Sequence, residues 1–369
     1  MLKMFKLLPI LILALLVAFT VSCEGPAGAD GADGMDGAAG ADGPDGADGA
    51  DGADGADGLD GADANEWCVD CHSADNWDKI TGEYALSGHA TAGSGFNYAG
   101  GRSGCAKCHT TEGFQAFLLG YPDETSDTKT RLSCEGCHGN HTTLEEGLSA
   151  PMATMAAVKL IYDETVEVDL ESVSNLCGAC HNSRRTGLDY TSIDSLDTDD
   201  DGFMDTAILA DSVYISSTHA GPHYSAQLNT LVGLGGYGST AETAHESVGC
   251  VGCHMGDATT TEGGHTFKPN LANCTVACHS SVTDMAAFVT EKHDARKADM
   301  DAIAAALATA GALTDNGDGT YSINVGLVSE DVFEAFWNYR VMYQDHSYGV
   351  HNGPYYTSMI ATAKANLGL

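Results

Sequence analysis

Apolar residues recur at helical spacing in the last quarter of this chain. Met285, Phe288, Val289, Met300, Ile303 and Leu307 fall along one side of residues 281–309, which predicts an amphipathic helix with that stripe as its packing surface. Two more helices are expected over 328–345 and 354–367. Before them, "LTDNGDGTYSI" at 313–323 places glycine-rich turn residues between two short runs, the pattern of a hairpin. The rest of the chain from about residue 65 is expected to be mainly helical and loop-rich, with little sheet.

The N-terminal end changes the picture. Lys3 and Lys6 precede an apolar run from Leu7 to Phe19, too short for a membrane span and of the form of an export signal over residues 1–22. "TVSC" then ends at Cys23. A small residue before cysteine resembles a bacterial lipoprotein cleavage site, although Thr20 stands where leucine is usual. An ordinary secretory signal is the alternative.

Behind Cys23, glycine occupies every third position from Gly25 to Gly61, and aspartate closes most of the triplets. Strict period three is the collagen pattern, since only glycine fits at a triple-helix axis. Pro26 and Pro44 are the only prolines in the run, and no Lys or Arg lies between Lys6 and Lys79, so packed copies would repel one another. A solvated, extended tether is the other reading. Near polyproline geometry the segment reaches ~120 Å. It reads as a stalk over 23–64, joining an anchor to a working domain over 65–369.

Net charge is −36, from 16 basic and 52 acidic residues, which excludes a general nucleic-acid binder. The 45 glycines and 7% aromatics leave little side-chain material for a conventional core, so a bound group is expected to fill the middle.

The cysteines identify that group. "CVDCH" carries Cys68, Cys71 and His72. "CAKCH" carries Cys105, Cys108 and His109, and "CEGCH" carries Cys134, Cys137 and His138. "CGACH" follows with Cys177, Cys180 and His181, and "CVGCH" with Cys250, Cys253 and His254. A sixth, "CTVACH", has one extra residue between Cys274 and Cys278 before His279. These motifs use twelve of the 13 cysteines and leave only Cys23. Cys-x-x-Cys-His is the attachment signature of c-type haem: the thiols add to the porphyrin vinyl groups and the histidine ligates iron from the proximal side. Zinc requires a second ligand pair at set spacing, and a disulfide framework does not explain the histidines. Six haems c are expected.

Six of the 15 histidines are proximal, leaving nine. "ALSGHAT", "CEGCHGNH", "HYSAQLNTLVGLGGYG", "CVGCHM" followed by "GGHTFKPN", and "DHSYGVHNGPYY" resemble segments of multihaem c-type cytochromes of bacterial respiration, over about residues 65–369. The resemblance implies that His265 and His351 are distal iron ligands. His89, His141 and His245 occupy similar settings near haem motifs. His219 and His223 compete for the sixth place, and His293 and His346 read as structural. His141 lies too near His138 along the chain to reach the far side of the same haem, so it is expected to serve a neighbouring one.

"DTDDDGFMD" at 197–205 suggests calcium. Asp197, Asp199, Asp201 and Asp205 match positions 1, 3, 5 and 9 of a calcium loop with Gly202 at the turn, but Ile208 replaces the bidentate glutamate. An acidic surface loop is the alternative.

These features lead to an exported electron-transfer protein, at the outer membrane or cell surface as a lipoprotein, or else periplasmic or extracellular. Its expected partners are redox proteins or extracellular electron acceptors, with assembly into an oligomer or filament also open. Two other readings stand beside it: a multihaem reductase of the nitrite or hydroxylamine type, which needs a vacant iron position, and a calcium-dependent surface adhesin.

Overall fold

The computed structural model describes residues 72–91, 93–121, 125, 129–139, 152–190, 212–223 and 225–369. All lie in the compact unit Gly61–Leu369. Helices and loops dominate, and the strands form three isolated antiparallel pairs. Among the described residues no helix is long and apolar enough to cross a membrane.

Helix α1 (Ala74–Ala85) starts where Ser73 Oγ accepts the Asn76 N–H. Helix α2 (Thr111–Leu118) starts likewise at Thr110, whose hydroxyl oxygen accepts the Gly113 N–H at 3.0 Å. Gly113 also lets α2 lie against the preceding turn, because a Cβ there would stand 2.4 Å from the Ala106 carbonyl. Strands β1 (Val158–Leu160) and β2 (Asp163–Val168) pair antiparallel with an irregularity after Lys159. Strand β3 (Ser212–Ile215) waits for a partner more than a hundred residues later. Helix α3 (Ala244–His254) is broken at Gly249, whose φ of 65° no helix interior adopts.

The C-terminal part follows the apolar pattern more closely. Helix α4 (Met285–Thr309) is capped by Asp284 and buries Met285, Met300, Ile303, Ala304 and Leu307. The expected stripe does not bury along its whole length: Phe288 stays 37% exposed, with its ring 6.5 Å from that of His279. The hairpin over 313–323 is formed by β4 (Leu313–Asp315) and β5 (Tyr321–Ile323), with Gly317 and Gly319 at positive φ in the turn. The helix expected over 328–345 starts two residues later. Its first positions belong to β6 (Gly326–Ser329), which pairs with β3 and ends at Ser329, the cap of α5 (Glu330–Asp345). Helix α6 (Gly353–Leu367) is capped by Asn352 and closes at Gly368 (φ 69°).

Helix α5 is buried on nearly every side and carries Phe333, Phe336, Trp337, Val341 and Met342 into one cluster with Ile303, Leu307, Tyr355, Tyr356 and Met359. Each large side chain contributes about 1.5–3 kcal/mol by leaving water. The composition-based expectation that side chains could not supply a core is therefore corrected for this part of the chain. The polar residues of α5 bind the segment around Gly235–Tyr237 and His223, and α6. Asn338 donates to the Tyr237 and Met359 carbonyls, Trp337 Nε1 donates to the Gly235 carbonyl at 2.8 Å, and Gln344 Oε1 accepts the His223 N–H at 2.9 Å. Thus α5 is a strut between the core and the cysteine motifs.

Candidate functional site

The cysteine motifs that the structure describes in full, the second to the sixth, are built on short helical turns. Ala106–His109, Cys134–Cys137 and the last turn of α3 carry the second, third and fifth. Ser174–Gly178 leads into the fourth, and Leu271–Ala277 holds the first cysteine of the sixth. Residues i, i+3 and i+4 of a helical turn share one face, so two thiols and an imidazole point the same way. The closing bond is shared too. The His138 N–H donates to the Cys134 carbonyl at 2.7 Å, and the His181 N–H to that of Cys177 at 2.9 Å. In the sixth motif the His279 N–H still reaches the first cysteine, Cys274, at 2.8 Å, now five residues back. The extra residue is absorbed as a wider turn, and the order of thiols and imidazole is kept.

The motifs dock on one another. Ser133 N–H donates to Thr111 Oγ1 at 2.9 Å, which sets the third motif beside the helix that follows the second. The break at Gly249 lets the fifth motif approach the fourth: a Cβ there would stand 2.5 Å from Ser174 Oγ. That hydroxyl accepts the Val251 N–H at 3.3 Å. The thiols of Cys108 and Cys180 lie close enough to perturb one another, as do those of Cys177 and Cys250. The second contact lowers the Cys250 thiol and raises that of Cys177. Cys253 feels the charge of Cys274 and Cys278. The fourth motif thus lies between the second and the fifth, with the sixth beyond.

Four histidines from outside the motifs face four motif histidines. Ring centroids are 6.2 Å apart for His89 and His181, and 6.1 Å for His265 and His138. They are 6.1 Å apart for His245 and His279, and 6.4 Å for His351 and His254. Two imidazoles on opposite sides of one metal ion stand about 6.3 Å apart, counting about 2.0–2.1 Å for each metal–nitrogen bond and roughly 1.1 Å from nitrogen to ring centre. The donor sets therefore fit a planar iron group with one imidazole on each face and two thiols at its edge. Among the described residues no three His, Cys, Asp or Glu side chains converge as a metal-ion cluster.

Three of these histidines have the second ring nitrogen anchored, the arrangement that suits a metal ligand. His254 Nδ1 donates to the Phe267 carbonyl at 2.9 Å and His245 Nδ1 to the Val350 carbonyl at 2.6 Å. His351 Nδ1 donates to Asp345 Oδ1 at 2.7 Å. His265 is held by its backbone, whose N–H donates to Glu83 Oε2 at 3.0 Å. His181 is pushed down to about 4, first by burial and then by the charge of His89. The neutral imidazole so favoured is the ligand form.

Phe267 joins three of these sites. Its ring meets that of His89 at 4.9 Å and that of His265 at 6.0 Å, while its carbonyl holds His254. It adopts φ 55°, which costs a non-glycine residue energy. Neither Phe267 nor Asp345 was singled out by the sequence patterns, although both lie within or beside the "GGHTF" and "DHSYGVHN" segments.

The remaining candidates are placed differently. His223 lies beside the second motif: Arg184 Nη1 is 3.4 Å from its Nε2 and 3.7 Å from Cys105 Sγ, and the charge of His109 reaches it. His219 is exposed, with Nδ1 3.2 Å from Thr218 Oγ1. His293 packs on Tyr348 at 3.7 Å, and His346 ends α5 at φ 60°. His72 precedes the cap of α1, but Cys68 and Cys71 lie outside the described residues. So do His141, the calcium candidates Asp197, Asp199, Asp201 and Asp205, the signal, Cys23 and the Gly-X-Y run.

No protein-family model matches the chain, and no curated protein matches it either. Two solved structures are similar. One is the outer cell wall cytochrome OcwA, at 17% identity and a TM-score of 0.47, covering 77% of this chain and 49% of that one. The other is an undecahaem cytochrome from the S-layer of Carboxydothermus ferrireducens, at 18% identity and a TM-score of 0.46, covering 77% of this chain and 40% of that one. The chain thus spans about half the length of the first and two fifths of the second.

Proposed function

We propose that the chain is an electron-transfer cytochrome with six covalently attached haems c, one at each cysteine motif. The observation that carries this reading is the set of four imidazole pairs at 6.1–6.4 Å, each joining a motif histidine to one from elsewhere. Iron held between two imidazoles supplies a one-electron couple and no open position for substrate. In this assignment His181 and His89, His138 and His265, His279 and His245, and His254 and His351 are axial pairs. His223 is assigned to His109 on the strength of its place beside Arg184 and Cys105. His141 is left for His72.

Three of the four distal histidines lie close in sequence to a motif other than the one they serve. His245 sits five residues before Cys250 yet faces His279; His265 follows His254 yet faces His138; His89 follows His72 yet faces His181. One short segment thereby holds two sites, which keeps neighbouring sites close. The export signal, Cys23 and the acidic stalk support a place outside the cytoplasm, tethered to a membrane, with redox proteins or extracellular acceptors as partners.

Intact mass and ferric EPR of the exported holoprotein test the reading. Six haem adducts and only low-spin signals are expected, and His351→Ala should convert one haem of six to high spin. A protein without adducts, or a His351→Ala variant with unchanged spin states, would overturn the assignment. A high-spin signal in the unsubstituted protein would favour the reductase reading instead.

A further inference from the structure

We propose that Asp345 lowers the reduction potential of the site built on His254 and His351. This rests on the reading of those histidines as an axial pair. Asp345 is 1% exposed. Its Oδ1 accepts the His351 Nδ1 proton at 2.7 Å and the Thr230 hydroxyl proton at 2.8 Å. Its Oδ2 accepts from the Ser347 hydroxyl and from the Ser347 N–H at 3.3 Å. Thr230 and Ser347 are neutral. Among the described residues His351 is the only basic side chain within 4 Å of this carboxylate.

Such a carboxylate is expensive to keep. Burial of an ionised group costs several kcal/mol unless a charge compensates it. Asp345 is also the last residue of α5, a 16-residue helix with no basic residue in its final turn, so the helix dipole opposes it as well. A position that violates two local rules marks a functional site. The positive charge that compensates Asp345 reaches it through the His351 ring. A carboxylate at Nδ1 draws that proton toward itself and raises the basicity of Nε2, the nitrogen that remains for an axial bond. Both effects favour the more positive, ferric state of iron held there.

At two of the other paired sites the described contacts differ from this one. His245 donates its Nδ1 to a neutral carbonyl. Glu83 is the nearest analogue, but its oxygen is 3.8 Å from His265 Nδ1 and it shares its charge with Lys79 at 3.9 Å. No bond is made or broken in this role; Asp345 biases a one-electron equilibrium.

EPR-monitored redox titration of the full-length holoprotein tests the proposal. Asp345→Asn keeps the shape and an acceptor for His351 but removes the charge. One couple of six should shift toward the reduced form by roughly tenfold, about 59 mV for one electron, with every haem still low-spin. Ser347→Ala removes a donor to Oδ2 but leaves the charge, so the same couple should move the opposite way. Glu83→Gln should shift its own couple less than Asp345→Asn does. The proposal is overturned if Asp345→Asn leaves all couples in place, or if Ser347→Ala raises the couple as Asp345→Asn does, which would mean lost order rather than lost charge. Should Asp345→Asn yield no holoprotein, Ser347→Ala decides: a downward shift supports the proposal and no shift ends it. His351→Ala separates the two readings. High spin there, with no effect of Asp345→Asn, would sink the tuning alone; unchanged spin would sink the axial assignment itself.

Discussion

In residues 300–363 the interior is made of side chains: Phe336, Trp337, Tyr355, Tyr356 and Met359 are almost fully buried and packed on Ile303 and Leu307. Among the described residues of 105–279 the motif thiols and imidazoles are half-buried or exposed, and short polar residues share the interior with apolar ones. Thr110, Thr111, Ser174, Asn175, Asn182 and Ser183 are buried there, and the separate apolar cluster holds only Val158, Leu160, Val168, Leu170, Leu228 and Leu231. All four buried side-chain polar atoms without a hydrogen-bond partner among the described residues lie on this side, at Ser183, Gln227, Asn229 and Asn273. The first region has the apolar burial that stabilises an ordinary domain. The second has capped turns but less apolar burial of its own, and on the proposed reading it depends on the group its cysteines and histidines would hold.

The largest effect expected from this contrast concerns chain made without haem attachment. Hydrogen exchange should stay slow over α4, α5 and α6 and become fast over the turns carrying Cys105, Cys134 and Cys177. Protection lost uniformly would mean that the two regions fold as one unit and that the contrast in burial has no energetic meaning.

A reverse test uses the holoprotein. Phe336 is fully buried at the centre of α5, and Phe336→Ala should cost about 3–5 kcal/mol in denaturant unfolding. The effect should be confined to the C-terminal region at first, leaving the haem absorbance unchanged until α5 itself unfolds. Because α5 also holds the His223 N–H and presents Asp345, disturbance should then reach the His109 and His254 sites before the others.

The two regions were also unequally legible in the sequence. Helices over 281–309 and 354–367 and the hairpin over 313–323 follow from spacing and turn chemistry, because a helix or hairpin buried on one face writes its period into the chain. Helix α5 follows less completely. It is buried almost all round, so it has no stripe, and its first positions are taken by β6, whose partner β3 is too distant for local pattern to reveal. In the cysteine region the motif turns are legible because the chemistry fixes their spacing. The facing of His89 toward His181, or of His245 toward His279, is not, since these pairs join segments through space. Phe267 and Asp345 were hidden for a related reason: their roles depend on backbone geometry and on burial, neither of which has a residue signature.

Phe267 offers the finest test of how the cysteine region is held. Its ring touches His89 and His265, while only its carbonyl touches His254. Removing the ring should therefore free the first two imidazoles to turn and leave the third in place. The pairs differ in starting angle, 66° between His89 and His181, 36° between His138 and His265, and 37° between His254 and His351. Since the angle between axial rings shapes the ferric EPR signal, Phe267→Ala should alter the lines of two sites and spare those of His254 and His245. Phe267→Gly should give the same spectrum but be more stable than Phe267→Ala by about 1–2 kcal/mol, because glycine adopts the φ of 55° without strain. If Gly and Ala variants instead unfold alike while all the signals move together, Phe267 acts as filler, and the sites are not held by separate contacts to its ring and backbone.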